Sequence, residues 1–341
     1  MKCHRREGDR MMHTPIAVIE MQSALSPAGE QAARISGLWW LYFWVLMSVF
    51  VLVVVALLVS LYRRRSPIEV PLQDPVAEPP IATERRMSIT VISLVAATVA
   101  ILFGLLFVDM FVGRDVYAVE AGANPLVIKV TGHQWWWEVQ YTDAAPSKVM
   151  TTANELHVPT GKPVKLVLDS TDVIHSFWVP PMHGKKDLIP GHPTTHWFKA
   201  DKEGTFRGQC AEFCGHQHAH MRLEFVVQSP DKFEEWLGAA RQNSRPPSNP
   251  SEQHGQEVFV SNQCVMCHTI QGTNARATTG PDLTHFGSRE LLAGGAVPNT
   301  RGYLAGWIAN PQNIKPGVRM PPNNLGSNDL NALVDYLESL K

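Results

Sequence analysis

The chain reads as a multidomain membrane protein in which a two-helix transmembrane hairpin is followed by a β-sandwich and then by a small all-α domain. Three observations predict this order. Two long runs without a charged side chain, Ile35 to Tyr62 and Met87 to Val108, fall in the first third of the 341 residues. Between residues 115 and 238 the apolar stretches become short, β-branched and aromatic, punctuated by Gly, Pro and Asp. Helical spacing returns only beyond a polar, Pro-rich linker at residues 239–251.

Residues 1–34 form a polar N-terminal tail with Lys2, Arg5, Arg6 and Arg10, without an apolar run or a signal cleavage site, and are expected to be disordered. Cys3 is read as a tail thiol. The hairpin occupies residues 35–112, with spans at about 35–62 and 87–108. These runs are 28 and 22 residues long, and about 20 apolar residues suffice to cross a hydrocarbon layer of about 30 Å. The connecting loop carries Arg63, Arg64, Arg65, Arg85 and Arg86, against Arg34 and Arg114 on the outer flanks. Basic residues near helix ends stay on the cytoplasmic side, so the loop is expected inside and everything beyond about residue 110 outside. Pro67, Pro71, Pro75, Pro79 and Pro80 make that loop extended.

Within residues 115–238, LVIKVTGHQWWWEVQY, KPVKLVLDS and RLEFVVQ alternate as strands. Several strands at this spacing indicate a sandwich or small barrel. Alternation along one strand sets Trp135 and Trp137 on one face and Trp136 on the other. In the last domain, residues 252–341, EQHGQEVFV and DLNALVDYLESL carry helical spacing.

Composition narrows the function. A hydrophobic content of 45% excludes a disordered chain, and a formal net charge of -1 lacks the basic surplus that nucleic acid requires. Four of the five cysteines fall in two short motifs, Cys210 with Cys214 and Cys264 with Cys267, which favours metal or haem chemistry over a disulfide framework.

Cys264, Val265, Met266, Cys267 and His268 spell C-x-x-C-H, the attachment signature of c-type haem. Two thiols form thioethers to the porphyrin while the adjacent imidazole binds the iron. A zinc knuckle would need further Cys or His nearby, and a thioredoxin-like pair would not need His268. By residue type, the second axial ligand is Met320 or His285.

The other cysteine pair sits in Cys210 to Met221, CAEFCGHQHAHM, with two thiols, three imidazoles and a thioether in one loop. A blue copper site uses one thiolate, two imidazoles and a weak thioether. Here a second thiolate is present, and two thiolates four residues apart can bridge two copper ions, one His completing each. His218 and Met221 lie on that loop, and a second His is sought from elsewhere in the chain. His175 in DVIHSFWVPP, at the end of a predicted strand, is best placed. A disulfide would leave His175, His218 and Met221 unexplained, and a Cys2His2 zinc site would not use Met221.

Two resemblances extend this reading. Residues 252–341 resemble a class I cytochrome c through Gly255 and Phe259, CVMCHTIQGT, GPDL and the loop GVRMPPNNL. That likeness implies Met320 as the axial ligand, which raises the potential relative to a second His, and a Pro281 carbonyl that accepts from His268. About residues 35–235 resemble the cytochrome c oxidase subunit II family, a cupredoxin fold behind a membrane hairpin, through C-x-x-x-C-x-x-x-H-x-x-M with an upstream His. The family likeness implies a binuclear copper (CuA) centre in which Cys210 and Cys214 bridge, His175 and His218 each bind one copper, and Met221 and the Glu212 carbonyl are further ligands. It also implies magnesium on the Glu212 side chain at the border with subunit I, and electron input at Trp135. His192 follows Ile189, Pro190 and Gly191 where many members carry Arg.

Together these likenesses imply an electron-input subunit of a haem-copper terminal oxidase. A soluble or membrane-bound cytochrome c would supply electrons to haem c, which would pass them through CuA to catalytic subunit I. The expected location is the bacterial inner membrane, multi-pass, with both metal domains on the periplasmic side. The corresponding subunit of a CuA-containing nitric oxide reductase and a membrane-tethered copper assembly protein are the alternatives.

Overall fold

The computed structural model describes residues 22–63, 81–117 and 124–341. It divides into two compact units, Arg34–Ala118 and Met1–Ala33 with Val119–Lys341. Cys3, Arg64, Arg65 and the loop prolines lie outside the described residues.

The first unit is built on helices α1 (Glu30–Arg63) and α2 (Ile81–Tyr117). Their most apolar windows have mean hydropathies of 2.9 and 2.8 and bury none of their residues, as expected of surfaces that meet lipid. Both helices run past the charge-free spans, because Glu84, Arg85 and Arg86 suit a helix even where they end its apolar part. Arg34 meets Asp115 at 2.9 Å, which joins the two helices at the end away from Arg63 and Ile81. Trp39, Trp40, Phe43 and Trp44 pack edge and face near that end, the composition of a membrane-interface belt.

In the second unit, two five-stranded sheets face each other. The strands are β1 (Leu126–His133), β2 (Trp136–Tyr141), β3 (Met150–Ala153), β4 (Glu155–Pro159) and β5 (Pro163–Ser170), then β6 (His175–Trp178), β7 (Lys186–Leu188), β8 (Thr194–Lys199), β9 (Gly204–Cys210) and β10 (Arg222–Gln228). One sheet has the order β3-β2-β1-β5-β8 and the other β4-β10-β9-β6-β7. Alternation drives the sandwich: β5 and β10 bury every second residue, and Val130, Leu166, Phe198 and Phe225 fill the interior.

Two expectations are corrected here. Part of the 1–34 tail is ordered: the Ala28 and Gly29 amides donate to the Pro181 carbonyl at 2.8 and 3.1 Å, and Gln31 is fully buried. A Cβ at Gly29 would sit 2.9 Å from the Lys199 carbonyl, so only glycine permits this approach. The tryptophans, for their part, do not lie on one strand. The run divides into β1 and β2 with Gln134 and Trp135 in the turn. Trp137 enters the core beside His175 and Phe177, while Trp136 stacks on His133.

The linker at 239–251 is anchored at both ends. Helix α3 (Pro230–Ala240) extends into it and α4 (Pro250–Ser261) begins inside it. Asn249 caps α4 by accepting from the Glu252 amide, and Glu252 accepts in return from Ser248 and Arg245. Arg241 is held by Asp143 and the Lys148 carbonyl. Beyond it, α4, α5 (Arg301–Ala309) and α6 (Ser327–Ser339) enclose a second core around Phe259, Leu304, Leu333 and Tyr336.

Gly255 lets α4 cross α6, because a Cβ there would overlap the Ala332 carbonyl and approach the Tyr336 Cβ to 2.7 Å. Gly255→Ala should therefore destabilise the helical domain by roughly 1–3 kcal/mol, read as a lower midpoint in thermal unfolding followed by helical circular dichroism.

Candidate functional site

Strands β9 and β10 run antiparallel, and the Cys210 amide donates to the Met221 carbonyl at 3.0 Å, so the segment between them is pinched into a closed loop. Strand β6 pairs with β9, Phe177 opposite Cys210, which brings His175 alongside that loop. Five side chains converge there. The Cys210 and Cys214 sulfurs are 3.7 Å apart; His175 Nδ1 is 3.9 Å from Cys210 and His218 Nδ1 is 3.6 Å from Cys214. Met221 Sδ lies 3.9 Å from Cys214, and the Glu212 carbonyl 3.2 Å from Cys210. Soft sulfur and borderline nitrogen donors around one buried point are the donor set of a copper site, and the residues fit that metal.

The ionisation of this cluster follows from its crowding. Cys214 donates to Cys210 and, with help from His175, holds the Cys210 thiol at about 3, against the opposing effect of burial. The same bond and burial push Cys214 far up. One thiolate therefore forms readily and the second resists, until a cation replaces the remaining proton.

Asp172 accepts from His175 Nε2 at 2.9 Å, so the ring presents Nδ1 to the sulfurs. Burial would raise the Asp172 carboxyl, but hydrogen bonds from His175 and from the Gln134 and Val173 amides hold it at about 2. Burial would lower His175, and Asp172 overcomes it, so the imidazole is raised. Gly132 makes room, since a Cβ there would stand 2.7 Å from the His175 ring. Glu212 turns its carboxylate outward to Lys185 at 3.2 Å.

The second site is a cavity of about 280 Å³ in the helical domain, lined by Cys264, Cys267, His268 and Met320. His268 Nδ1 donates to the Pro281 carbonyl at 2.8 Å, which leaves Nε2 facing away from that bond. Burial keeps this imidazole below its ordinary value and hence neutral. His285, the other axial candidate, bonds instead to the Gln242 carbonyl at 3.2 Å and does not line the cavity. Paired thiols, a neutral imidazole and a thioether on an apolar cavity fit a covalently held haem.

The two sites meet. Trp135 and Trp136 line this cavity as well, and Trp135 Nε1 donates to the Cys214 carbonyl at 2.9 Å, so one residue reaches both sites. Gln134 Nε2 donates to the same carbonyl at 2.8 Å. Arg289 reaches from the helical domain to Thr152 at 3.2 Å and Glu155 at 3.7 Å, and Arg319 reaches Asp172 at 3.6 Å. Sequence reasoning missed Asp172, Gln134, Arg289 and Lys315. Only Asp172 carried a signal, an acid three residues before a candidate ligand.

Residues 144–229 match the family model described as cytochrome c oxidase subunit II, periplasmic domain, and residues 252–341 match that of cytochrome c. A cytochrome c oxidase subunit 2 of Alkalihalophilus pseudofirmus is 33% identical over 94% of this chain and 92% of its own. One from Bacillus sp. is 33% identical over 64% of this chain and 63% of its own. The crystal structure of the periplasmic domain of subunit II of cytochrome oxidase (CoxB) of Bradyrhizobium japonicum is 35% identical, covering 34% of this chain and 93% of its own, with a TM-score of 0.32.

Because Asp172 titrates lower in the folded chain than its ordinary value of 3.8, its stabilisation is complete above that value and lost as pH falls towards about 2. Acid unfolding of metal-free protein should show this loss, and Asp172→Asn should remove that part of the pH dependence. The same substitution should weaken copper binding by roughly 10–100-fold, measured by competition with a chelator.

Proposed function

The chain belongs to the cytochrome c oxidase subunit II family, and from that premise we propose that it carries electrons from a cytochrome c donor through a haem on His268 and Met320, then a CuA pair, to catalytic subunit I. As a member of that family it is a membrane-anchored component of a haem-copper oxidase, an oxidoreductase complex that contains other subunits, and it has a periplasmic domain. A copper-binding domain and a cytochrome c domain come with that membership. The finer assignments are our own reading: Cys210 and Cys214 bridging, His175 and His218 one to each copper, Met221 and the Glu212 carbonyl as weaker ligands, Cys264 and Cys267 as haem thioethers, and two passes across a bacterial inner membrane.

The observation that carries the reading is Trp135, which lines the cavity of the helical domain while its Nε1 holds the carbonyl of a copper-loop cysteine. When bound, the two groups supply one-electron carriers that need no proton at each transfer. The residues do the rest. Asp172 fixes the His175 ring, Pro281 fixes His268, and the sandwich core keeps water from the two sulfurs. Trp135 is then an internal relay between the two centres, since it is only 8% exposed. The outward Glu212 carboxylate is the group we assign to magnesium at the border with subunit I, where the metal would replace Lys185.

Similarity to oxidase subunits over most of the chain favours the oxidase over a nitric oxide reductase or a copper assembly protein. Paramagnetic resonance of the purified complex should show a delocalised two-copper signal together with haem c absorption; isolated mononuclear copper would defeat the bridging assignment. Co-purification with a partner that reduces nitric oxide and not oxygen would defeat the oxidase assignment. Met320→Ala should leave haem attached through Cys264 and Cys267 but lower its potential, and an unchanged redox titration would return His285 to candidacy. His268→Ala should give little holoprotein, measured as haem staining per polypeptide.

A further inference from the structure

Lys315 is the least expected residue at the junction. It lies in the loop between α5 and Met320, is 1% exposed, and forms no ion pair among the described residues. Its ammonium has three N–H donors, and each meets a main-chain carbonyl: Trp135 at 2.7 Å, His220 at 2.8 Å and Ala293 at 2.8 Å. Two of these carbonyls belong to the β-sandwich, one from the relay tryptophan and one from the copper loop; the third belongs to the helical domain.

The surroundings are shaped for that contact. Gly294 adopts φ +66°, and a Cβ there would stand 2.7 Å from both Lys315 Nζ and the Trp135 carbonyl. Its own carbonyl accepts from the Arg222 amide at 2.9 Å. Gln217 Nε2, from the copper loop, donates to the Pro316 carbonyl at 2.8 Å. Gly317 lays backbone against the Trp135 ring, where a Cβ would come within 3.5 Å.

We propose that Lys315 is the positioning residue that pins the helical domain onto the copper loop, clamping Trp135 between the two centres. Haem and copper are thereby held at one fixed separation, and the transfer moves one electron from the haem to the copper pair without a docking step. This rests on the electron-carrying role given above. The pin takes no part in the electron transfer itself; it acts through the Trp135 and His220 carbonyls. Removing the ammonium leaves those carbonyls buried and without their donor, so the domains part more readily.

The test uses the purified oxidase carrying Lys315→Met. Trypsin cutting after Arg241, in the segment between the two domains, reports the open population when opening is fast relative to cleavage. Cleavage is expected to quicken at least about tenfold, equivalent to about 1.4 kcal/mol of docking, with haem absorption unchanged. In the same sample, reduction of the haem by a small mediator should be unaltered, while its oxidation by copper after flash reduction slows. Cleavage and transfer both at wild-type rates would overturn the pin. Should Lys315→Met lose its haem, Gly294→Ala decides, since its Cβ crowds the same contact while the ammonium stays in place: faster cleavage supports the pin and unchanged cleavage overturns it. A wild-type complex without haem-to-copper transfer would instead overturn the electron-carrying role, and cleavage would still report on the pin.

Discussion

The hydrogen bond from the Cys210 amide to the Met221 carbonyl closes the loop on which the junction depends. With its ends fixed by the β9–β10 ladder, the loop has few ways to close, and its main chain is turned to use on every side. The Glu212 carbonyl points at the Cys210 sulfur, the Cys214 carbonyl receives Gln134 and Trp135, and the His220 carbonyl receives Lys315. Side chains of the same loop gather the sulfurs and one imidazole. One closed turn thus carries both a candidate metal centre and the surface that another domain grips. A loop without the ladder would have to order each of these groups separately, at about 1–2 kcal/mol of backbone entropy per residue.

How far the sequence revealed this depends on where each signal is stored. The C-x-x-C-H run and CAEFCGHQHAHM are legible because their chemistry needs uncommon residue types at fixed short spacing, and the structure gathers those same residues. The membrane helices are legible because lipid demands a long uninterrupted apolar run. The β-sandwich is legible from alternation, as in β5 and β10. Trp135 is not: period-two reasoning extended one strand through a turn, and the ring that was given a strand face sits instead between two domains. The docked segment from Ala28 to Ala32 left no trace either, since its burial comes from carbonyls of Pro181 and Met182 far along the chain.

Lys315 marks the limit most clearly. A lysine in a polar loop ordinarily belongs to the solvated surface, and nothing adjacent distinguishes it. Its burial is imposed by three carbonyls from three distant segments, so the information is tertiary. Burial works against the charge and lowers its ammonium from 10.5 to about 7. Three charge-assisted hydrogen bonds oppose that penalty, and such bonds are stronger than neutral ones. Arg289 follows the same pattern with Thr152, Glu155 and the Asp282 carbonyl.

These contacts also change what the charge balance of the helical domain means. Residues 250–341 hold six Lys and Arg against seven Asp and Glu, a nearly neutral total with no preferred face. The structure divides that total unevenly. Arg289, Lys315 and Arg319 all bond to the β-sandwich, whereas among the described residues no carboxylate of the helical domain does. Arg301, one of the three cations that remain, is taken up by Asp335 and Glu338 on its own domain. The surface left for any external partner is therefore more acidic than the composition implies. Because surface potential governs encounter over roughly a Debye length, the contacts that hold the two domains together also determine which sign of charge the outer face presents.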